Sequence, residues 1–338
     1  MRSWRQWPIS RVSGPMRYIS NGCKWVERIK STFSLTLLLL AGCTSTQLDQ
    51  AEQWQSQLYT EHALVGMIWD SQHAQFIAPD ELLARIEGVS YLLLGEKHDN
   101  PDHHALQLRA LDHVLQTGNV STVSFEMMSS EQQPLLQELS SHRQSSLEQI
   151  NEYLQWDNEG WDWDYYGPLL KSAMQADVKI NAANISNEEM MQVYSAPTEA
   201  KIAAVLDKQT MAALEKDIDE SHCGMLPESQ FPAMVRVQQA RDFAMARSLS
   251  TSSPQQVQVL IAGNYHIRRD LGVPNYLLNR QSNLEESQII SLAFMEVDEG
   301  SNDPDDYLQQ FGSVKAHDYI WFTPAVSNED YCASLRQQ

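Results

Sequence analysis

Two Gly-x-x-His motifs, at residues 95–98 and 263–266, carry the side chains best suited to chemistry in this chain. Each motif follows an apolar, β-rich stretch (91–94 and 257–262) that is typical of a buried parallel strand. Ligands of open α/β sheets bind beyond the carboxyl ends of such strands. We therefore expect the two imidazoles to lie at the same edge of one sheet and to form part of a site.

Further polar side chains stand at the ends of the predicted strands. Glu96 and His98 follow the first strand, Glu126 ends another, and His266 follows the strand at 257–262. Imidazole nitrogen and carboxylate oxygen together suit zinc, manganese, cobalt or non-haem iron, so these four residues are candidate ligands of a divalent transition metal. The alternative is a hydrogen-bonded polar cluster that only shapes a pocket.

The alternation of strands and helices predicts an α/β fold with a central, mainly parallel sheet flanked by helices. A hairpin is predicted at 64–77, strands at 91–94, 122–126, 178–183, 257–262 and 289–295, and helices at 101–115, 130–155, 198–219 and 228–250. The segments 130–175 and 186–250 are too long for simple crossovers, and we expect them to form a helical cap over the C-terminal rim of the strands. His103 and His104 lie in the first turn of the helix after Pro101, one expected to face the site and the other solvent.

The N-terminal residues have the pattern of a bacterial lipoprotein signal. Basic residues precede the apolar run 33–41, which ends in Leu-Ala-Gly before Cys43 and is too short to span a membrane. We expect residues 1–42 to be cleaved and Cys43 to carry the lipid, palmitate included, although an ordinary signal with an incidental cysteine is the alternative. Thr44, the residue after Cys43, fits the sorting pattern for the outer membrane, so we expect the anchored protein to lie there and to face the periplasm. The start codon is Met1 or Met16.

The domain boundaries follow from this signal. Residues 43–62 are predicted to be a lipidated N-terminus and tether, residues 63–326 the α/β domain, and residues 327–338 a C-terminal tail. Cys223 and Cys332 then remain besides Cys43, and in an oxidising compartment they either form a disulfide or stay as two separate thiols.

The charge balance argues against nucleic acid as a partner. The chain has 24 basic and 44 acidic residues, and removal of residues 1–42 leaves 17 basic against 43 acidic ones. Such a surface repels a phosphate backbone and offers no counterion release.

Several motifs together resemble the ChaN-like lipoproteins of the haem-binding uptake group, which belong to the Tiki superfamily. The resemblance covers roughly residues 65–325 and rests on the segments 95–104, 125–128, 182–185, 221–228, 239–246, 262–274 and 318–324. It implies an α/β domain, a lipid anchor, and noncovalent haem binding linked to iron acquisition, with a homodimer as a further possibility. Tyr265 stands where we would expect a small residue, usually glycine.

The resemblance also implies roles for individual residues. Cationic or imidazole partners of the haem propionates would come from Lys97, His98, Arg268 and Arg269, and His266 would also contact the haem. The axial ligand would be a tyrosine or histidine, with Tyr265, Tyr166 and Tyr276 as candidate tyrosines.

The superfamily implies a second function, metal-dependent proteolysis. In that case Glu96 and Glu126 would be catalytic, and the metal held with His98 and His266 would activate a water molecule. Haem needs a wide apolar slot, whereas hydrolysis needs a small, wet metal site with an open coordination position. A third possibility is an envelope binding protein that uses the pocket for neither.

Overall fold

A computed structural model describes residues 54–249, 256–330 and 332–333 of the chain. The predicted signal, Cys43 and most of the predicted tether lie outside these residues. The described strands are β1 (Ile68–Asp70), β2 (Gln75–Ile77), β3 (Tyr91–Glu96), β4 (Val120–Ser129), β5 (Lys179–Asn184), β6 (Val257–Gly263), β7 (Ile289–Glu296), β8 (Gln310–Phe311), β9 (Val314–Lys315) and β10 (Tyr319–Thr323). No helix among the described residues is long and apolar enough to cross a membrane.

Eight of these strands form one sheet in the order β2-β1-β10-β7-β3-β6-β4-β5. All neighbouring pairs from β10 to β5 are parallel, and the hairpin β1–β2 extends the β10 edge in antiparallel orientation. The predicted α/β class, the central parallel sheet and the N-terminal hairpin are therefore confirmed. The sequence patterns did not predict β10, which separates the hairpin from β7.

Helices cover both faces of the sheet. They are α1 (Pro79–Ile86), α2 (Pro101–Gln116), α3 (Gln133–Gln137), α4 (Leu147–Leu154), α5 (Trp163–Gln175), α6 (Asn187–Ser195), α7 (Ala200–Ala203), α8 (Lys208–Ser221), α9 (Phe231–Ser248) and α10 (Val273–Arg280). Short 3-10 helices occupy Ser130–Gln132, Leu139–His142, Glu228–Gln230, Glu286–Gln288 and Pro304–Tyr307. Leu92 and Leu94 of β3 enter one apolar core and Leu93 the other, because successive side chains of a strand point to opposite faces.

The long segments before and after β5 bring helices to the strand ends, as predicted. Helix α5 carries Tyr166 to the end of β3, where its hydroxyl reaches Glu96. Helix α9 carries Asp242 to His266, which follows β6. The predicted helix at 130–155 is broken, because two 3-10 helices interrupt it on either side of α3.

Residues 54–62, which the sequence predicts to belong to the tether, contact the α/β domain. The backbone N–H groups of Gln55 and Ser56 donate to the carboxylate of Asp102, at 2.8 and 2.9 Å. Leu58 forms an antiparallel bridge with Ala325. Residues 54–62 are therefore part of the folded domain, because they cover the first turn of α2 instead of forming a tether.

Cys223 and Cys332 form a disulfide with a Cα–Cα distance of 5.4 Å. It links the turn after α8 to residue 332, which lies in the predicted C-terminal tail. Of the two possibilities that the sequence left open, the structure has the disulfide.

Candidate functional site

The ends of three neighbouring strands bring the predicted polar residues together. Glu96 at the end of β3 pairs in register with Gly263 at the end of β6. Glu126 belongs to β4, the neighbour of β6 on its other side. His98 and His266 follow directly after β3 and β6, so all four candidate residues lie at the same edge of the sheet.

His98 is held by a carboxylate beneath it. Its Nδ1 lies 2.5 Å from Oε1 of Glu96, and the hydroxyl of Tyr166 donates to the same oxygen at 3.1 Å. Glu96 and Tyr166 are buried, and Oε2 of Glu96 has no hydrogen-bond partner among the described residues. This arrangement fixes the imidazole ring through Nδ1, and Nε2 makes no hydrogen bond to Glu96.

Gly263, the glycine of the second motif, lets the side chains of His98 and Glu126 lie close to the backbone between them. A Cβ at Gly263 would lie 2.9 Å from Cε1 of His98 and 3.7 Å from Oε2 of Glu126. The N–H of Gly263 also donates to Oε2 of Glu126 at 2.8 Å. A side chain at this position would push the His98 ring away, so the glycine is required by close packing.

His266 lies between two buried carboxylates. Its Nδ1 is 2.6 Å from Oδ1 of Asp242, and its Nε2 is 3.3 Å from Oε1 of Glu126. Gln238, one turn before Asp242 on α9, donates to the Asp242 carboxylate at 3.4 Å. We call Glu96, His98, Glu126, Tyr166, Asp242 and His266 the rim cluster.

These contacts set the charge states of the His266 half of the rim cluster. Burial lowers the pKa of His266, but Glu126 and Asp242 outweigh burial and raise it to about 10. Burial raises the pKa of Glu126, but the positive charge of His266 outweighs burial and holds that pKa well below its usual range. Burial raises the pKa of Asp242, so Glu126 is the carboxylate that most firmly keeps its negative charge. At neutral pH His266 is therefore an imidazolium with neither nitrogen available as a ligand.

His98 forms the exposed part of the rim cluster. Burial lowers the pKa of His98, but the negative charge of Glu96 outweighs burial and raises that pKa to about 9. The His98 side chain is 46% exposed, and Trp161 packs edge-on against its ring at 4.7 Å between centroids. Lys97, 43% exposed, pairs with Asp99 and Glu296. This opening presents the His98 imidazole beside an aromatic wall, whereas the ammonium of Lys97 is engaged by two carboxylates.

The predicted metal site is not supported. Glu96, His98, Glu126 and His266 lie together, but they are arranged as two carboxylate–imidazole ion pairs. Within residues 54–249, 256–330 and 332–333, no group of three or more His, Cys, Asp or Glu is arranged to hold a metal ion.

Three other predicted residues, Tyr265, Arg268 and Tyr276, lie outside the rim cluster in different settings. Tyr265 is half-buried, and its hydroxyl donates to Asp217 of α8 at 3.3 Å. Arg268 is buried, forms ion pairs with Asp217 and Asp270, and lies over the Tyr265 ring at 5.2 Å. Tyr276 is fully buried in the core and packs against Phe243. The structure therefore does not bring Tyr276 to the rim cluster.

The prediction that one of the two neighbouring histidines of α2 faces solvent is wrong, because both are buried. His103 accepts from the N–H of Lys97 at 2.9 Å and contacts the hydroxyl of Thr323. His104 stacks on Tyr165 and bonds the backbone carbonyl of His98 at 3.1 Å. Burial lowers the pKa of each, so both are neutral structural residues that support the turn before α2.

Sequence reasoning missed Asp242 and Gln238, which lie on α9, outside the Gly-x-x-His motifs in sequence, although both contact His266 in the structure. A usable signal existed, because Asp242 lies in the segment 239–246, one of the segments that carry the family resemblance. A buried carboxylate needs a cationic or hydrogen-bonding partner, which here is His266.

The structure is similar to that of known proteins. The structure described as cofacial haem binding to ChaN of Campylobacter jejuni has a TM-score of 0.62 and 23% sequence identity, covering 75% of this chain and 95% of that one. Two other structures are less similar and support no functional comparison. The type III effector HopBA1 has a TM-score of 0.40 and 12% identity, covering 72% of this chain and 92% of that one. RRSP, a MARTX toxin effector domain from Vibrio vulnificus, has a TM-score of 0.38 and 15% identity, covering 65% of this chain and 36% of that one. No curated protein matches the chain significantly.

A family model described as haem-binding uptake, Tiki superfamily, ChaN matches residues 82–277, which is more than half of the chain and includes every residue of the rim cluster. The sequence resemblance is thereby confirmed, and the chain belongs to the ChaN family of haem-binding uptake proteins in the Tiki superfamily.

Proposed function

We propose that this protein binds haem noncovalently at the opening of the rim cluster and serves iron acquisition from a lipid anchor in the cell envelope. The observation that carries the proposal is the family match, which covers the rim cluster, combined with the exposed chemistry of that opening. The solved ChaN structure from Campylobacter jejuni, which binds haem cofacially, supports it further.

The residues of the opening are suited to bind the propionate carboxylates at the edge of a haem. His98 donates one N–H to Glu96 and, when protonated, has a second N–H on an exposed ring. A charged N–H donor of this kind suits a carboxylate such as a haem propionate, and Lys97 adds a second cation. The Trp161 ring beside His98 offers an apolar wall. We therefore assign His98 and Lys97 to the propionates and Trp161 to the porphyrin face.

Among the predicted axial tyrosines, Tyr265 is the best candidate for the iron. Tyr166 and Tyr276 are fully buried, and Tyr166 already donates to Glu96. Tyr265 is half-buried beside His266, although burial and Asp217 raise its pKa. Bound haem would supply iron that accepts a phenolate oxygen. Tyr265 would hold that oxygen, and its proton would pass to Asp217, which already accepts the hydrogen bond of the hydroxyl.

Metal-dependent hydrolysis is the second candidate. It is favoured by the buried carboxylate of Glu96, whose Oε2 has no partner among the described residues. It is disfavoured by His266, since both of its nitrogens face carboxylates. The haem proposal therefore takes precedence.

The experiment that separates the two functions uses the purified mature protein made without added cofactor. Metal content is measured by mass spectrometry, and haemin is then titrated while the Soret band is followed. A saturable, stoichiometric Soret shift without a tightly held transition metal would support haem binding. A stoichiometric transition metal with only unsaturable haemin adsorption would support the hydrolase.

The lipid anchor and the outer-membrane location have a separate test. Cells expressing the chain are labelled with a palmitate analogue, and envelope membranes are separated by density. We expect label and outer-membrane recovery for the unchanged chain, and loss of both for Cys43→Ala. Labelling that persists in Cys43→Ala would contradict the anchor.

A further inference from the structure

A cavity of about 900 Å³ runs along β5, the last strand of the sheet on its parallel side. Two layers of helices extend past this strand. Leu136 and Leu139 line the cavity from the segment between β4 and α4, and Ala244 and Ser248 of α9 line it from the opposite side. The cavity is therefore a slot between two helical layers at the position of a further strand, and we call it the β5 slot.

The backbone of β5 has hydrogen-bonding groups that face the slot. The N–H of Ala182 points away from β4, because it donates to the side-chain oxygen of Gln133 at 2.9 Å. Alternate residues of a strand direct their backbone groups to the same side, so the N–H and C=O of Ile180 face the slot as well. No strand of the described residues lies beyond β5. An extended peptide is the ligand whose backbone complements such an edge.

The charged side chains that line the β5 slot indicate the sign of the net charge of the peptide that it binds. Its lining includes Lys179, Arg143 and Arg247, in a protein whose net charge is −20. Of the two acidic lining residues, Asp177 is paired with Arg143. The other, Glu189, accepts hydrogen bonds from Ser130 and from the N–H of Ser186, and also attracts Arg247.

Lys179 is exposed at the N-terminal end of β5 and forms no ion pair with any other described residue. It directly precedes Ile180, whose backbone groups face the slot. A carboxylate on the bound peptide would find a cation there, so the slot favours an acidic strand over a basic one.

We propose that the β5 slot binds an extended, acidic peptide segment of a partner protein, which adds a ninth strand to the sheet. The backbone of the segment pairs with the N–H and C=O of Ile180 and with the C=O of Ala182, whose N–H remains bonded to Gln133. An acidic side chain of the segment pairs with Lys179. This surface is separate from the opening of the rim cluster, so it provides the haem-binding protein with a docking site for a partner.

The test uses three dye-labelled nonapeptides and fluorescence anisotropy with the purified protein. One alternates valine and glutamate, the second alternates valine and lysine, and the third is the glutamate peptide with a central proline. We expect saturable binding of the glutamate peptide, binding of the lysine peptide weaker by about tenfold, and loss of binding for the proline peptide. Equal binding of all three, or binding of none, would overturn the proposal.

Variants of the slot locate the binding. Lys179→Glu should weaken the glutamate peptide about three- to tenfold, whereas Lys208→Glu, an equal change of charge on α8, should have no effect. Ile180→Pro should abolish binding because it removes an N–H that faces the slot. Hydrogen exchange of the Ile180 amide should slow when the glutamate peptide is added, and an unchanged rate would contradict the proposed pairing. Haemin titration of Lys179→Glu should match that of the unchanged protein, so failure of either proposal is recognised separately.

Discussion

Nδ1 of His266 lies 2.6 Å from Oδ1 of Asp242, a carboxylate that reaches the strand ends from the middle of a helix. This contact and the ion pair with Glu126 on the other side of the ring make His266 a fixed cation beneath the site. The rim cluster consequently has a charged, fully engaged interior and an exposed opening formed by His98.

Replacing Asp242 should loosen this interior. Asp242→Asn removes the charge that helps to raise the pKa of His266, and we expect that pKa to fall from about 10 toward its ordinary value. The free energy of unfolding should fall by about 1–3 kcal/mol, because the buried imidazolium loses a charged partner. NMR titration of the His266 ring and urea unfolding measure the two effects. Asp306→Asn, the same substitution at an exposed aspartate, serves as a stability control. An unchanged pKa of His266 would mean that Asp242 does not act on the ring.

The stability of the domain should decline in alkaline solution. The pKa values of His266 and His98 are raised to about 10 and about 9, whereas an unfolded histidine titrates near 6.5. A raised folded-state pKa stabilises the fold fully below pH 6.5, and this stabilisation is lost as the pH rises through 9 and 10. We expect the free energy of unfolding to drop by about 1–3 kcal/mol between pH 7 and pH 10, and the drop to be smaller in His266→Gln. Equal pH profiles for the two proteins would show that His266 is not the group responsible.

Gly263→Ala should disturb the site without unfolding the domain. The new methyl group would lie 2.9 Å from Cε1 of His98, so the ring must move and its contact with Glu96 must weaken. Haemin affinity should fall about tenfold if His98 is a propionate partner. Gly88→Ala is the matched control, because nothing lies within 4 Å of the added atom there. Full affinity in Gly263→Ala, with His98 NMR shifts altered, would separate His98 from haem binding.

Two tyrosine variants distinguish the iron ligand from its buried neighbour. Tyr265→Phe should change the Soret and charge-transfer bands of the bound haem, because it removes the proposed ligand oxygen. Tyr166→Phe removes only a buried hydrogen bond to Glu96, so we expect a stability loss of about 1 kcal/mol and an unchanged haem spectrum. The reverse pattern of spectra would assign the iron to Tyr166.

The disulfide should stabilise the domain. Reduction, or the double change Cys223→Ser and Cys332→Ser, should lower the free energy of unfolding by about 2–4 kcal/mol, because the bond closes a loop of 109 residues. Thermal unfolding with and without reductant measures the effect, and peptide mass mapping verifies the pairing. Equal melting temperatures would show that residue 332 is not held against α8 in solution.

Local sequence patterns predicted much of the sheet and part of the site. Buried parallel strands are continuous apolar runs, so β3, β6 and β7 and the residues at their ends were recognised from periodicity and from the repeated Gly-x-x-His motif. The position of Glu126 near the end of β4 followed from the same pattern. Asp242 could not be located in this way, since its contact with His266 depends on how α9 packs against the sheet. The burial of His103, His104 and Tyr276 likewise depends on long-range packing, here against β10 for His103 and against α9 for Tyr276.

The most direct test of the haem proposal is a haemin titration of three proteins, followed by the Soret band: the unchanged chain, His98→Ala, and His113→Ala as a control on the surface of α2. The account predicts stoichiometric, saturable binding to the unchanged chain and to His113→Ala, with affinity lower by about tenfold in His98→Ala. Equal affinity in all three proteins would contradict the placement of haem at the rim cluster.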